Sequence, residues 1–141
     1  MPDIRIAPTT DIETCRRLRR IVFIHEQGVP ESDELDDLDG QAIHLLATVD
    51  GVPTGSARLL CLGQTGKIGR VCVLKDARGT GLGAALIHEA VGMFRAMPDI
   101  TRVKLGAQTH AIGFYERLGF APTGPQYDDA GIPHRDMVLT F

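Results

Sequence analysis

The segment Arg78-Gly79-Thr80-Gly81-Leu82-Gly83-Ala84 constrains this chain more than any other. It follows the apolar run Val71-Cys72-Val73. It precedes Leu82, Leu86, Ala90, Met93 and Met97, which recur at steps of four, four, three and four until Pro98. The first run has the character of a strand and the second of a helix that proline stops. Glycine spacing of this kind lets a backbone turn tightly and bring several N–H groups close to one anion. The helix N-terminus adds unpaired donors and roughly half a positive charge. A strand, a phosphate-sized cradle and a helix are therefore expected in that order.

The rest of the chain is organised around this unit. Ile4 and Ile6 alternate with polar residues as in a short strand, and Thr9, Thr10 and Asp11 supply N-cap chemistry for a helix carrying Ile12, Cys15, Leu18, Ile21 and Val22. Arg16, Arg17, Arg19 and Arg20 occupy its other faces and read as a solvated surface. Residues 31–40, ESDELDDLDG, read as an irregular, strongly negative loop. Residues 43–49 and 52–62 flank Asp50-Gly51, a strong hairpin signal, and a further strand spans 67–73. Val103 and Leu105 suggest another strand, residues 111–118 a short helix ending at Gly119, and Val138-Leu139 a closing strand. This order predicts a mixed α/β fold, a sheet with helices on both faces, in a single domain covering residues 1–141.

Composition narrows the function. A chain of 141 residues can bury a core without disulfides or a structural metal. Fifteen Lys plus Arg against eighteen Asp plus Glu give a net charge of -3, with no general attraction for nucleic acid or an anionic membrane. The apolar runs are short and the chain opens Met-Pro-Asp, so a cytoplasmic location is expected. Cys15, Cys61 and Cys72 read as reduced core residues. No H-E-x-x-H, paired C-x-x-C or EF-hand ligand series occurs, so no metal is expected. Neither Ser32 nor Ser56 lies in a G-x-S-x-G elbow.

Several phosphate-binding chemistries use a glycine turn. The P-loop pattern G-x-x-x-x-G-K-S/T is absent. A dinucleotide pattern G-x-G-x-x-A is formally present from Gly79 to Ala84, but Asp99 precedes the next strand rather than ending it. The third possibility is coenzyme A. Arg78-x-x-Gly81-x-Gly83 after a strand resembles the acyl-CoA motif Q/R-x-x-G-x-G/A of the GNAT superfamily of N-acyltransferases. Phe114 to Phe120, FYERLGF, is similar to a second motif of that superfamily. The runs VFIHEQGVP, GRVCV, AQTHAIGFY and GIPH resemble the bacterial ElaA-like branch, so the likeness covers nearly the whole chain.

That resemblance implies acetyl-CoA in a V between two splayed strands. Its pyrophosphate would lie on the amides of Arg78, Gly79, Thr80, Gly81, Leu82, Gly83 and Ala84, and its pantetheine would pair with Val71, Cys72 and Val73. An amine would attack the thioester directly while a strand N–H stabilises the oxyanion. Tyr115 matches the tyrosine that protonates the departing thiolate in relatives, and His110 would contact CoA or the acceptor. A plain core role for Tyr115 and a capping role for His110 stay open. An amine of pKa about 10 arrives protonated, and His25, Glu26, His110 and His134 are the groups available to deprotonate it. Of these, Glu26 is placed among the catalytic residues, and His25, Glu26 and His134 among those shaping the acceptor pocket. The acidic run either attracts a cationic acceptor or is solvent-facing. The expected function is transfer of an acetyl group to a small-molecule or peptide amine, with a silent acyl-CoA-binding sensor or interaction module as the alternative. Homodimerisation is compatible with the sequence but not required by it.

Overall fold

In the computed structural model, residues 2–141 are described. The chain forms β1 (Ile4–Thr9), α1 (Ile12–Arg19), α2 (Glu31–Glu34), β2 (Ile43–Val49), β3 (Val52–Leu62), β4 (Thr65–Val73), α3 (Leu82–Arg95), β5 (Arg102–Gln108), α4 (Ile112–Arg117), β6 (Ala121–Asp129) and β7 (Ile132–Thr140). Asp11 caps α1, its carboxylate accepting from the Thr14 amide at 3.2 Å and the Thr14 hydroxyl at 2.6 Å. The helix does not stop at Arg19. It continues as π-helical turns over Arg20–Glu26, a local widening often found at functional sites.

One mixed sheet of seven strands has the order β1-β2-β3-β4-β5-β7-β6, with every neighbouring pair antiparallel except β4 and β5. The main core lies on the α3 face, where Leu82, Leu86, Ile87, Ala90 and Phe94 meet Leu45, Leu59, Ile68, Val103, Leu105 and Met137. On the opposite face Leu18 and Val22 pack on Cys72, with Phe23, Leu46 and Leu74 around them. Gly66 is required at the first interface, because a Cβ there would lie 2.5 Å from the Phe94 ring.

Strand β4 departs from regular pairing in two places. Its parallel pairing with β5 runs only from Thr65↔Arg102 to Ile68↔Leu105, so the edge of β4 beyond Ile68 has no strand on it. The β3 register steps from Arg58↔Gly69 to Ser56↔Cys72, which sets Ala57 alone against Arg70 and Val71. That is a β-bulge, a device that bends a strand and leaves a residue outside the ladder. Arg70 holds it with φ +52°, the left-handed region that residues other than Gly, Asn and Asp seldom occupy.

The arginine and acidic segments correct the sequence-based expectation of two solvated surfaces. Arg19 is 1% exposed, its Nε donating to Glu34 at 2.6 Å and its terminal nitrogens to both oxygens of Asp39 at 2.9 and 3.1 Å. Arg16 also reaches Asp39, Arg20 reaches Glu31, and Arg58 from β3 bridges Asp36 and Asp39. The acidic run is therefore folded as α2 and a 3-10 turn at Asp39–Gln41, with its inner carboxylates neutralised by α1 and β3. A second correction concerns Cys61, which is exposed while Cys15 and Cys72 are buried. No helix among the described residues is long and apolar enough to cross a membrane.

Candidate active site

The split between β4 and β5 joins two features. At one end lies the glycine turn. Gly79 and Gly81 take φ +76° and +86°, and Gly81 is the N-cap of α3. The first hydrogen bond of the helix runs from Ala85 N–H to the Gly81 carbonyl at 3.0 Å, so Leu82, Gly83 and Ala84 precede it as N-terminal donors. The Thr80 hydroxyl donates to the Ala77 carbonyl, and Arg78 Nε donates to the Val73 carbonyl at 3.0 Å, which ties the turn to the end of β4.

The guanidinium of Arg78 also grips the Glu26 carboxylate with both terminal nitrogens, one at 2.7 Å. The hydrogen bonds from Arg78 hold the Glu26 carboxyl below its usual range. Glu26 is thus a poor proton acceptor in this arrangement. Its present task is to link the π-helical turns to the glycine turn. His25 beside it is exposed, and neither residue lines the cleft at the far end of the split.

That cleft, of about 600 Å³, is bordered by the π-helical turns at Phe23 and by α2. Gly69, Arg70 and Val71 of β4 and Gly106 and Gln108 of β5 form its floor, Phe23, Val29, Asp33 and Glu34 one wall, and Tyr127, Ile132, His134 and Asp136 of the closing hairpin the other. Tyr115 also lines it. Burial pushes the Tyr115 phenol up to about 12, so it keeps its proton at neutral pH. The ring is fixed edge-on by Phe114 and Phe120, with centroids 5.0 and 6.1 Å away. Cys72 is buried with its thiol 3.5 Å from the Ser56 hydroxyl, and burial raises its pKa, which suits packing rather than reaction. His110 is exposed, with Nε2 2.7 Å from Gln108 Oε1, and Gln108 in turn donates to Gln27 across the mouth of the split.

Several residues that shape the cleft were not singled out from the sequence as site residues. Arg70 donates to the carbonyls of Asp33 and Glu34 at 3.4 and 3.2 Å and thereby fastens α2 to the bulge. Tyr127 donates to Asp136 Oδ1 at 2.7 Å, while Lys104 pairs with Asp136 Oδ2 at 3.3 Å. Gly106 makes the room, because a Cβ there would lie 2.5 Å from the Tyr127 hydroxyl. Burial and the Asp136 hydrogen bond raise the Tyr127 phenol well above its ordinary value. Among the described residues no group of His, Cys, Asp and Glu could hold a metal ion.

Comparison with known proteins assigns this architecture. Residues 16–141 match the family model described as "Acetyltransferase (GNAT) domain". A Bacillus subtilis protein described as "Uncharacterized N-acetyltransferase YjcF" is 34% identical over 122 residues, 86% of each chain. ElaA of Escherichia coli is 34% identical over 126 residues, 86% of this chain and 82% of that protein. The crystal structure of ElaA aligns with a TM-score of 0.82 over 99% of both chains. An acyl-CoA N-acyltransferase from Pseudomonas aeruginosa aligns with a TM-score of 0.86 and 33% identity, covering 99% of this chain and 100% of that one. The chain belongs to the GNAT family and is an N-acyltransferase.

Proposed function

We propose that this enzyme transfers an acetyl group from acetyl-CoA to a primary amine, directly and within a ternary complex. One observation carries the reading: the edge of β4 left unpaired beyond Ile68 leads from the cleft at Gly69–Val71 to the glycine turn fastened at Val73. A pantetheine arm extended along that edge can take the place of the missing strand. The diphosphate then meets the N-terminus of α3, and the thioester reaches the bulge. There an amide outside the ladder can donate to the developing oxyanion, a contribution of a few kcal/mol in a water-poor site. No enzyme nucleophile is needed, since the amine nitrogen forms its bond to the carbonyl carbon as the C–S bond breaks.

Tyr115 serves the leaving group. A phenol held near pKa 12 does not hand a proton fully to a thiolate of about 8.5, but it donates a hydrogen bond to the charge that develops. A hydrogen bond to a charged group contributes about 1.5–3 kcal/mol. Tyr115→Phe is accordingly expected to lower kcat roughly 10- to 100-fold with the KM for acetyl-CoA unchanged. Unaltered kcat would show that Tyr115 is a packing residue.

The reading is tested by thermal unfolding with acetyl-CoA, CoA and NAD at matched concentrations. A ligand at 100 times its Kd adds about 2.7 kcal/mol, which at about 2–4 °C per kcal/mol raises Tm by roughly 5–11 °C. The expected result is a shift with both CoA species and none with NAD, followed by amine-dependent CoA release. Folded protein that shifts with neither CoA species would overturn the assignment. Tight acetyl-CoA binding with no amine acetylated would instead favour a silent acyl-CoA sensor.

A further inference from the structure

We propose that His134 is the base that takes the proton from the acceptor amine, an assignment that rests on the acetyl-transfer reading. His134 is half-buried in the cleft wall, and its Nδ1 lies 2.7 Å from the Ile132 carbonyl. A carbonyl only accepts, so Nδ1 must carry the hydrogen. Of the two neutral tautomers, this contact selects the one whose Nε2 is a lone pair. The ring cannot easily turn away from that arrangement, because Tyr127 stacks on it with centroids 5.9 Å apart and planes 23° from parallel. Tyr127 is itself held by Asp136.

Strand register places His134 one strand away from the split, in the cleft that Gly69, Arg70 and Val71 also line. On β7 His134 is the direct partner of Gln108 on β5, and on β6 its partner is Tyr127. Gln108 lies three residues beyond Leu105, and Val71 lies three beyond Ile68, the last β4–β5 pair before the split. Val71 and the bulge therefore face Gln108 across the gap, and His134 stands one strand further on, about 4.8 Å from β5. An amine entering the cleft reaches the thioester from this side. Asp136 is less suited to the task, since Tyr127 occupies one of its oxygens and Lys104 the other.

The steps balance. An ammonium nitrogen gives one proton to His134 Nε2, directly or through one water, and the freed electron pair forms the N–C bond. The C–S bond breaks, its electrons leave on sulfur, and the second proton lost from nitrogen ends on the thiol. The imidazolium returns its proton to solvent at the cleft mouth.

His134→Asn is the informative variant, because the Asn amide can still donate to the Ile132 carbonyl but offers no base. With n-butylamine as acceptor at pH 8, which arrives as an ammonium, the variant is expected to lose about 100-fold in kcat, the lower range of general-base effects. With hydroxylamine, which is neutral at that pH and has no ammonium proton for His134 to take, the loss should fall below about 3-fold. The acetyl-CoA thermal shift should be unchanged. Equal losses with both amines, or none with either, would overturn the base assignment. Wild-type protein that binds acetyl-CoA but acetylates neither amine overturns the transfer reading itself. Independently, nitrogen-15 spectra of the wild type should show the His134 ring hydrogen on Nδ1, and its presence on Nε2 would refute the proposal.

Discussion

Arg19→Ala is expected to lower Tm by roughly 6–20 °C. Arg19 is 1% exposed and Glu34 and Asp39 are each 3% exposed, so the variant leaves two buried carboxylates short of their main cation. Breaking a buried ion pair from one side costs about 3–5 kcal/mol, and a domain of this size changes Tm by about 2–4 °C per kcal/mol. Against a total stability of about 5–15 kcal/mol this is a large fraction. The effect has a pH signature. Burial alone would raise the Asp39 carboxyl, but hydrogen bonds from Arg19 and Arg16 reverse this and hold it far below its ordinary value. A carboxylate with a depressed folded pKa contributes stability that is complete above its unfolded value, about 3.9, and is lost as pH falls toward the folded one. Urea unfolding should therefore show a wide gap between wild type and variant at pH 7 that narrows below about pH 4. Equal midpoints at pH 7 would show that the network contributes nothing net.

The same network marks where sequence reading reached its limit. The arginines of α1 and the acids of residues 31–39 were each legible as charged segments, yet their neutralisation depends on contacts across 15 to 20 residues and on Arg58 from β3. Local pattern distinguishes a polar surface from an apolar one. It does not show that two polar surfaces face each other. Strand β6 was hidden for a related reason: Pro122, Gly124 and Pro125 break its alternation, and the register shifts between Thr123 and Tyr127. What was legible had local causes. The glycine turn, the Asp50-Gly51 hairpin, the Asp11 cap and the stop at Pro98 each follow from the conformational range of one or two residues. The cleft was legible only in fragments, because Tyr115 and His134 sit in recognisable segments whereas Arg70, Gly106 and Tyr127 acquire meaning from the bulge and the β5–β7 register.

The glycine turn yields the second large effect. Gly81→Glu is expected to weaken acetyl-CoA binding at least 100-fold while leaving the protein folded. A Cβ at Gly81 meets nothing within 4 Å, so the substitution creates no clash. It does place an L-residue at φ +86°, a strain of about 1–2 kcal/mol. A carboxylate at a helix N-terminus recovers about 0.3–1 kcal/mol of that, so the unliganded protein should lose only a few degrees of Tm. The same carboxylate, however, occupies the field and the amide donors that a diphosphate needs, and its charge repels the ligand. Gly81→Ala separates the two causes, since it carries the backbone strain without the charge and should weaken binding less than about 10-fold. Thermal shifts of both variants with acetyl-CoA decide the matter. A Gly81→Glu protein that still shifts like the wild type would place the diphosphate somewhere other than the N-terminus of α3, and the unpaired edge of β4 would then have to be read as binding something else.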